Sequence, residues 1–145
     1  MNETEVYITL FTSSFISSTV LPGYSELTLT AFIFLNKFSV TNLVIIASIG
    51  NILGSILNWY LGFYFIKFKE KKWFPINSSQ LEKASLWFTS YGKWTLFLSW
   101  VPFIGDPLTV VAGILRVPII TFVIIVSISK ILRYVFISLI ALNIF

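Results

Sequence analysis

The chain has 145 residues, of which 57% are hydrophobic and only 11% are charged, and its formal net charge is +4. Soluble domains are about 45–50% apolar and about 25% charged, so this composition excludes an ordinary soluble protein and predicts one integral membrane domain over residues 1–145. Cysteine and histidine are absent. Disulfides and histidine catalysis are therefore excluded, and we expect neither a metal site nor a cofactor.

Four hydrophobic stretches follow one another, at residues 6–35, 40–66, 94–115 and 117–142. The second and fourth are uninterrupted, and because a spanning helix needs about 20 apolar residues, we predict that each crosses the membrane. The first and third are interrupted by similar strings, Pro22-Gly23-Tyr24-Ser25-Glu26 and Pro102-Phe103-Ile104-Gly105-Asp106-Pro107.

The interrupted stretches contain short apolar pieces, which favour re-entrant hairpins that enter and leave the membrane on one face. A matched pair of Gly/Pro-broken segments is also typical of transporter binding sites in inverted repeats. We therefore predict an all-α integral membrane fold, with two Pro/Gly-broken re-entrant hairpins in an inverted repeat plus at least two full transmembrane helices. The halves cover about residues 6–66 and 94–142. The hairpin breaks are predicted at Pro22, Gly23, Pro102, Gly105 and Pro107.

The polar loop between the halves, residues 67–93, carries six of the ten lysines and arginines. Lysine-rich short loops remain in the cytoplasm, so we expect this loop on the cytoplasmic side. A capping box at residues 79–82 predicts a helix that starts near Gln80. Nucleic-acid binding is not expected, because no separate polar domain is present to hold it. Two re-entrant hairpins would place both termini outside, four full crossings would place both inside, and the sequence leaves both topologies open.

The charged candidate site residues within the hydrophobic stretches are Glu26, Asp106, Lys130 and Arg133. A charge in hydrocarbon is costly and by default marks function, here a proton or cation site. We predict that the two acids pair with the two bases, with partners unassigned, and that residual positive charge meets the phosphate of an anionic headgroup. The alternative is that both acids only hold the fold through salt bridges.

Asn51 and Asn58 lie on one polar face of the second stretch. Buried amides need hydrogen-bond partners, so these two either satisfy the open backbone of a re-entrant loop or line a path. Gly50 and Gly54 form a GxxxG motif, which permits close helix approach and is compatible with a homo-oligomer. The sequence shows no nucleophile–base pair, phosphate loop or metal cluster, so an enzyme is not expected.

Several motifs together carry a resemblance, namely residues 11–26, Gly50-Asn51-x-x-Gly54, residues 98–108, residues 112–113 and Lys130-x-x-Arg133-Tyr134. In these motifs the chain resembles the YqaA-type branch of the DedA family, small bacterial inner-membrane proteins of the VTT (SNARE-associated Golgi protein-like) superfamily. The resemblance runs from about residue 10 to residue 135. One departure lies in the second hairpin. Typical DedA proteins have Arg-Phe-x-Pro-x-x-Arg there, and this chain has Ser99 and Gly105 at the arginine positions.

The resemblance implies a multi-pass protein of the bacterial inner membrane with two hairpins that face each other. Glu26 matches the acid of the first hairpin, and Asp106 lies in the second. It also implies translocation of a lipid or an anionic lipid-linked substrate, of undecaprenyl-phosphate or phospholipid type, with proton coupling and a role in envelope integrity. Membrane lipids are then the expected partners. A small-ion or metabolite transporter and a non-transporting membrane scaffold are the alternatives.

Overall fold

A computed structural model describes residues 2–19, 24–65, 78–100 and 105–144. Within these ranges all regular secondary structure is helical, which confirms the all-α prediction. The elements are α1 (Glu3–Thr19), α2 (Tyr24–Phe34), α3 (Val40–Phe65), α4 (Ser78–Tyr91), a 3-10 helix (Gly92–Trp100), α5 (Gly105–Ile114) and α6 (Ile119–Ile144). Three of the predicted break residues, Pro22, Gly23 and Pro102, lie outside the described residues.

Helices α3 and α6 are the two long apolar helices. Their segments Val40–Tyr64 and Ile119–Asn143 each have 25 residues and can cross a membrane by length and composition. At about 1.5 Å per residue each segment is about 38 Å long, which exceeds the hydrocarbon core of about 30 Å. The two predicted full spans are therefore present as helices. Pro118 immediately precedes α6, a position where its missing N–H costs the helix no hydrogen bond.

The two carboxylates of the interrupted stretches belong to helices and not to the breaks. Glu26 is the third residue of α2, and Asp106 is the second residue of α5. Gly105 and Pro107, which the sequence assigned to a break, lie in the first turn of α5. First-turn N–H groups have no partner within a helix, so proline is tolerated there. An acid at the same place is stabilised by the positive end of the helix dipole.

Helices α2 and α5 also end in the same way. Asn36 and Arg116, each two residues beyond its helix, have φ angles of 55° and 59°. Their N–H groups donate to Ile33 O and Gly113 O, both at 3.1 Å. A left-handed residue commonly ends a helix, although a residue with a Cβ adopts this conformation at a cost of about 1–2 kcal/mol. The second helix of each half therefore begins with an acid in its first turn and is followed by a residue in the left-handed conformation.

Glycines let α3 approach α1 on one side and α5 on the other. A Cβ on Gly50 would lie 2.6 Å from a backbone oxygen of α1, and one on Gly54 would lie 2.8 Å from another. Gly62 of α3 and Gly113 of α5 face each other's helix so closely that a Cβ on either would collide with backbone atoms. The GxxxG motif is therefore used for packing inside the chain.

Two apolar clusters lie at opposite ends of α3 and α6. The first joins α1 and α2 to residues 43–47 of α3 and to Tyr134 and Ala141 of α6. The second joins α4, the 3-10 helix and α5 to Trp59 of α3 and residues 122–126 of α6. The start of α3 thus packs near the end of α6, which means that the two helices run antiparallel.

A layer of buried polar side chains separates the two apolar clusters. Its members on the long helices are Ser48, Asn51, Ser55 and Asn58 of α3 and Ser129 and Lys130 of α6, none more than 4% exposed. We call these six residues the polar layer. Polar groups near the middle of spanning helices are costly unless they are paired, and they mark candidate binding sites and ion paths.

Candidate functional site

The site is centred on an ion pair between α2 and α6. Glu26 lies in the first turn of α2 and Arg133 lies just past the middle of α6, and Arg133 Nη2 directly contacts Glu26 Oε1. The two side chains are only 19% and 9% exposed, respectively. Removing one partner of a buried ion pair typically costs about 3–5 kcal/mol, because the other charge is left unpaired. The structure thus assigns one of the predicted acid–base pairings.

A neutral contact beside the ion pair joins the same two helices. Ser25 Oγ and Tyr134 OH are 2.6 Å apart, and Ser25 Oγ also donates to Ser17 Oγ of α1 at 3.4 Å. A serine hydroxyl has a single proton, so Tyr134 is the donor to Ser25 in this arrangement. All three residues are no more than 3% exposed. Consecutive residues of α2 therefore bind consecutive residues of α6, Ser25 to Tyr134 and Glu26 to Arg133.

A second base lies one turn earlier on α6. Lys130 is fully buried within the polar layer. Asp106, the other predicted acid, is near the start of α5, and its side chain lies outside the part of the chain that the structure describes. The predicted pairing of Asp106 with a base stays a prediction.

The two asparagines of the polar layer bind neighbouring helices and not the ion pair. Asn51 Nδ2 donates to Ser14 O at 3.0 Å. Asn58 Nδ2 donates to Ser18 O at 2.7 Å and to Thr109 Oγ1 at 3.1 Å. Ser18 lies in the last turn of α1, where carbonyls have no partner within the helix. Asn58 therefore binds an open carbonyl at the end of α1 and links α1 to α5, and its role beside a re-entrant loop stays a prediction.

A cavity of about 870 Å³ lies beside the ion pair. Its polar lining residues are Glu26, Arg133 and Ser129, and the other seven are apolar, including Phe97 of the 3-10 helix. Ligand sites for small molecules measure about 300–1,000 Å³, so the cavity has the volume of such a site. Several lining residues are 54–74% exposed, so the cavity opens at the outer surface of the helices. These residues are Leu27, Leu132, Phe136 and Leu139.

In this arrangement the guanidinium of Arg133 lies next to a mostly apolar cavity. A guanidinium presents N–H donors in a planar fork that fits a phosphate as well as a carboxylate. Across the described residues, no group of three or more acid, cysteine or histidine side chains is arranged to hold a metal ion.

Sequence reasoning found the charged residues of the site but missed Ser25. A serine before an acid at the start of a helix resembles an ordinary capping residue, and its partner is 109 residues away. The available signal was adjacency, because Ser25 precedes Glu26 as Tyr134 follows Arg133. Phe97 was missed as well, because a wall of a cavity has no sequence pattern of its own.

Comparisons with known proteins extend these observations. A VTT domain matches residues 21–142, which covers both halves. The chain is 40% identical over 138 residues to inner membrane protein YqaA of Escherichia coli strain K12, covering 93% of this chain and 90% of that protein. It is 34% identical over 134 residues to an uncharacterized protein of Haemophilus influenzae, covering 87% and 81% of the two chains.

A more distant similarity links the chain to a protein with a named substrate. The chain is 29% identical over 98 residues to undecaprenyl phosphate transporter A of Staphylococcus aureus. This match covers 62% of the chain and 48% of the transporter. No solved structure matches the chain at a significant level.

Proposed function

Because the chain belongs to the DedA family of VTT-domain membrane proteins, we propose that it translocates an anionic lipid or lipid-linked substrate across the bacterial inner membrane. The substrate class is that of undecaprenyl phosphate or a phospholipid. Transport is coupled to protons and supports the integrity of the cell envelope. A relative is named an inner membrane protein, and two helices of this chain are long enough to cross a bilayer.

The observation that carries the proposal is an apolar cavity with an ion pair in its wall. An anionic lipid combines a phosphate with a hydrocarbon tail. The cavity offers Arg133 to the phosphate and mostly apolar side chains to the tail. A small-ion transporter needs no apolar volume of this size, and a scaffold needs no cavity, so the geometry favours a lipid substrate over both alternatives.

Protonation of Glu26 is the step that couples transport to protons. In the structure Glu26 holds Arg133. A proton on Glu26 removes this attraction, and Arg133 then binds the phosphate of the substrate. When the phosphate leaves, Glu26 loses its proton and the ion pair forms again. The charge of Arg133 is compensated in both states, which a low-dielectric environment requires.

The relatives support the substrate class. This chain differs from typical DedA proteins in the residues that carry positive charge. The printed name of the Staphylococcus aureus relative specifies undecaprenyl phosphate as the substrate of that protein. Ser99 stands where typical DedA proteins have an arginine, and it is buried. We infer that Lys130 and Arg133 of α6 supply the cationic groups instead.

The re-entrant hairpins and the inverted repeat are part of the same proposal. Helix α1 packs on α3 as the 3-10 helix packs on α6, and α5 packs on α3 as α2 packs on α6. The antiparallel arrangement of α3 and α6 supports an inverted relation between the halves. Helices α2 and α5 have 11 and 10 residues. They are therefore about 15–17 Å long, half of a hydrocarbon core.

Leaflet exchange of labelled phosphate-bearing lipids in proteoliposomes tests the proposal. The wild type is compared with Glu26→Gln and Asp106→Asn, with and without a proton gradient. We expect each substitution to reduce gradient-driven exchange about tenfold or more, because a group that accepts the proton is lost. Glu82→Gln, at an exposed acid of α4, is the matched control and should exchange lipid like the wild type.

The other outcomes separate the alternatives. Ion flux without lipid exchange would identify a small-ion transporter, and a folded protein with neither activity would identify a scaffold. Normal gradient-driven exchange by both acid variants, at wild-type abundance, would contradict proton coupling through these residues.

A further inference from the structure

Several buried polar atoms at the interface of α1 and α3 accept no hydrogen bond from any described residue. They are Ser14 Oγ, Asn51 Oδ1 and Asn58 Oδ1, and their residues are at most 1% exposed. The amide groups of both asparagines are oriented by their Nδ2 atoms, which donate to carbonyls of α1. Each Oδ1 is therefore an acceptor that needs a donor.

One of these atoms, Ser14 Oγ, belongs to the same helix as Ser17, which starts a pair of bonded hydroxyl groups, Ser17 and Ser25, that ends next to Glu26 in the sequence. Asn51 is bonded to the backbone of Ser14, and Ser17 lies about one turn further along α1. Ser17 Oγ accepts a hydrogen bond from Ser25 Oγ, and Ser25 immediately precedes Glu26. Glu26 Oε2 is itself buried and accepts no hydrogen bond from the described residues. Polar groups thus run from the interior of the first half as far as Ser25, the residue before Glu26.

We propose that water occupies this interface of α1 and α3 and that, with Ser17 and Ser25, it forms the route by which protons reach Glu26. The inference rests on the proposed proton coupling and adds a path to it. A buried water makes about three hydrogen bonds, typically to polar groups that otherwise lack a partner. The unpaired acceptors of Ser14 and Asn51 are such groups.

The proton route and the cavity share α2, which contributes Ser25 to the one and Glu26 and Leu27 to the other, and are otherwise built from different helices. The cavity is lined by residues of α2, the 3-10 helix and α6, whereas the polar interface belongs to α1 and α3. Protons and substrate therefore approach the ion pair from different sides. A separation of this kind keeps water out of the apolar cavity while Glu26 remains able to exchange its proton.

Each transfer along the route is a balanced proton hop. An oxygen accepts a proton from one neighbour and passes its own proton to the next, and Ser25, which donates to Ser17 in the structure, turns its hydroxyl towards Glu26 for the last hop. Glu26 thereby gains one proton and the outermost water loses one. The charged or titratable groups that α6 presents in this region are Arg133 in contact with Glu26, the adjacent Tyr134, and Lys130 one turn earlier. The described parts of α1 and α3 at this interface contribute serine and asparagine.

Infrared difference spectroscopy of the full chain in lipid tests the route. The carboxyl band of Glu26 is identified by its absence in Glu26→Gln, and its appearance is followed after a pH jump. We compare Ser14→Ala, Ser17→Ala and Ser25→Ala with Ser138→Ala. Ser138 is the control, because it is also buried and its Oγ donates to Val135 O of its own helix at 2.8 Å. We expect protonation to slow about tenfold or more in Ser17→Ala, which corresponds to a barrier higher by ~1.4 kcal/mol, with the titration midpoint unchanged.

Three results would count against the route. Equal rates in all four serine variants and the wild type would overturn it. A shifted midpoint at an unchanged rate would also overturn it, since these serines would then only position Glu26. If the wild-type band never titrates, the proposed coupling itself fails, and this outcome differs from the other two because no Glu26 signal is seen at all.

Discussion

Leaving Glu26 without its partner and leaving Arg133 without its partner have different free-energy costs. Glu26 lies in the first turn of α2, where the helix dipole stabilises a negative charge, and a carboxylate left without a partner can take up a proton. Arg133 lies in the interior of α6 and has neither option, because a guanidinium stays charged in proteins. The unpaired arginine is therefore the more costly of the two residues to leave behind.

This asymmetry predicts unequal effects of the two leucine substitutions on stability. We expect Glu26→Leu to lower the free energy of unfolding by about 3–5 kcal/mol, as for an uncompensated buried charge. Arg133→Leu should cost less, and the double variant should recover most of the loss, because no charge remains unpaired. Unfolding in mixed micelles gives these values.

Arg116→Leu is the control for the double-mutant cycle formed by the Glu26 and Arg133 variants. The Arg116 guanidinium lies 4.8 Å from the centre of the Phe63 ring, and the residue is exposed. Its removal should cost about 0.5–1 kcal/mol, the value of an exposed cation–π contact. Additive effects of Glu26→Leu and Arg133→Leu would contradict a direct energetic coupling between the two charges.

At the scale of helices, the close crossing of α3 and α5 makes its own prediction. A Cβ on Gly113 would collide with the backbone of Trp59 and Phe63, and backbone atoms cannot move aside as a flexible side chain can. Alanine favours a helix over glycine by about 1 kcal/mol, yet we expect Gly113→Ala to destabilise the protein by about 1–3 kcal/mol through overpacking.

Gly92→Ala separates this steric cost from backbone strain. Gly92 has a φ of +61° and no atom within 4 Å of a Cβ placed on it, so its substitution should cost only the strain of a left-handed residue. The decrease in the free energy of unfolding in Gly113→Ala should come from steric overlap and contain no strain of a left-handed residue. Unfolding measurements that show Gly113→Ala to be as stable as the wild type would mean that the two backbones are not in contact.

The elements differ in how much of them the sequence predicts. The long apolar stretches predict α3 and α6 to within a few residues, and the capping box predicts α4, which begins at Ser78. Gly105 and Pro107 were assigned to a break, because glycine and proline suggest one, although both fit the first helical turn in which they lie. The 3-10 helix was not predicted, since this conformation has no distinctive pattern of apolar residues. The partners of Glu26 and Asn58 depend on tertiary packing, which local patterns do not encode.

At the scale of the whole molecule, the outer surface is strongly apolar. Large apolar side chains of α6 are 42–73% exposed and recur at helical spacing, at Ile120, Ile124, Ile128 and Ile131. Apolar surface of this extent is unfavourable in water, whereas hydrocarbon tails accommodate it. The polar layer lies inside and the apolar stripe outside, which is the distribution expected for helices surrounded by lipid.

The lengths of the helices then predict the sides on which the termini lie. Helices α2 and α5 are each about half as long as the hydrocarbon core is thick, so neither can carry the chain to the opposite face. We therefore predict that the chain crosses the membrane at α3 and α6 alone, which would place residues 67–93 on the opposite side from both termini. Since a lysine-rich loop remains in the cytoplasm, both termini are predicted to lie outside.

We expect a phosphatase that is active only in the periplasm to be active when fused to either end. A fluorescent reporter that matures only in the cytoplasm should stay dark at both ends and fluoresce when it is inserted in the loop. The reverse pattern at the ends would require four crossings, and the short helices would then have to be extended by residues outside the described ranges.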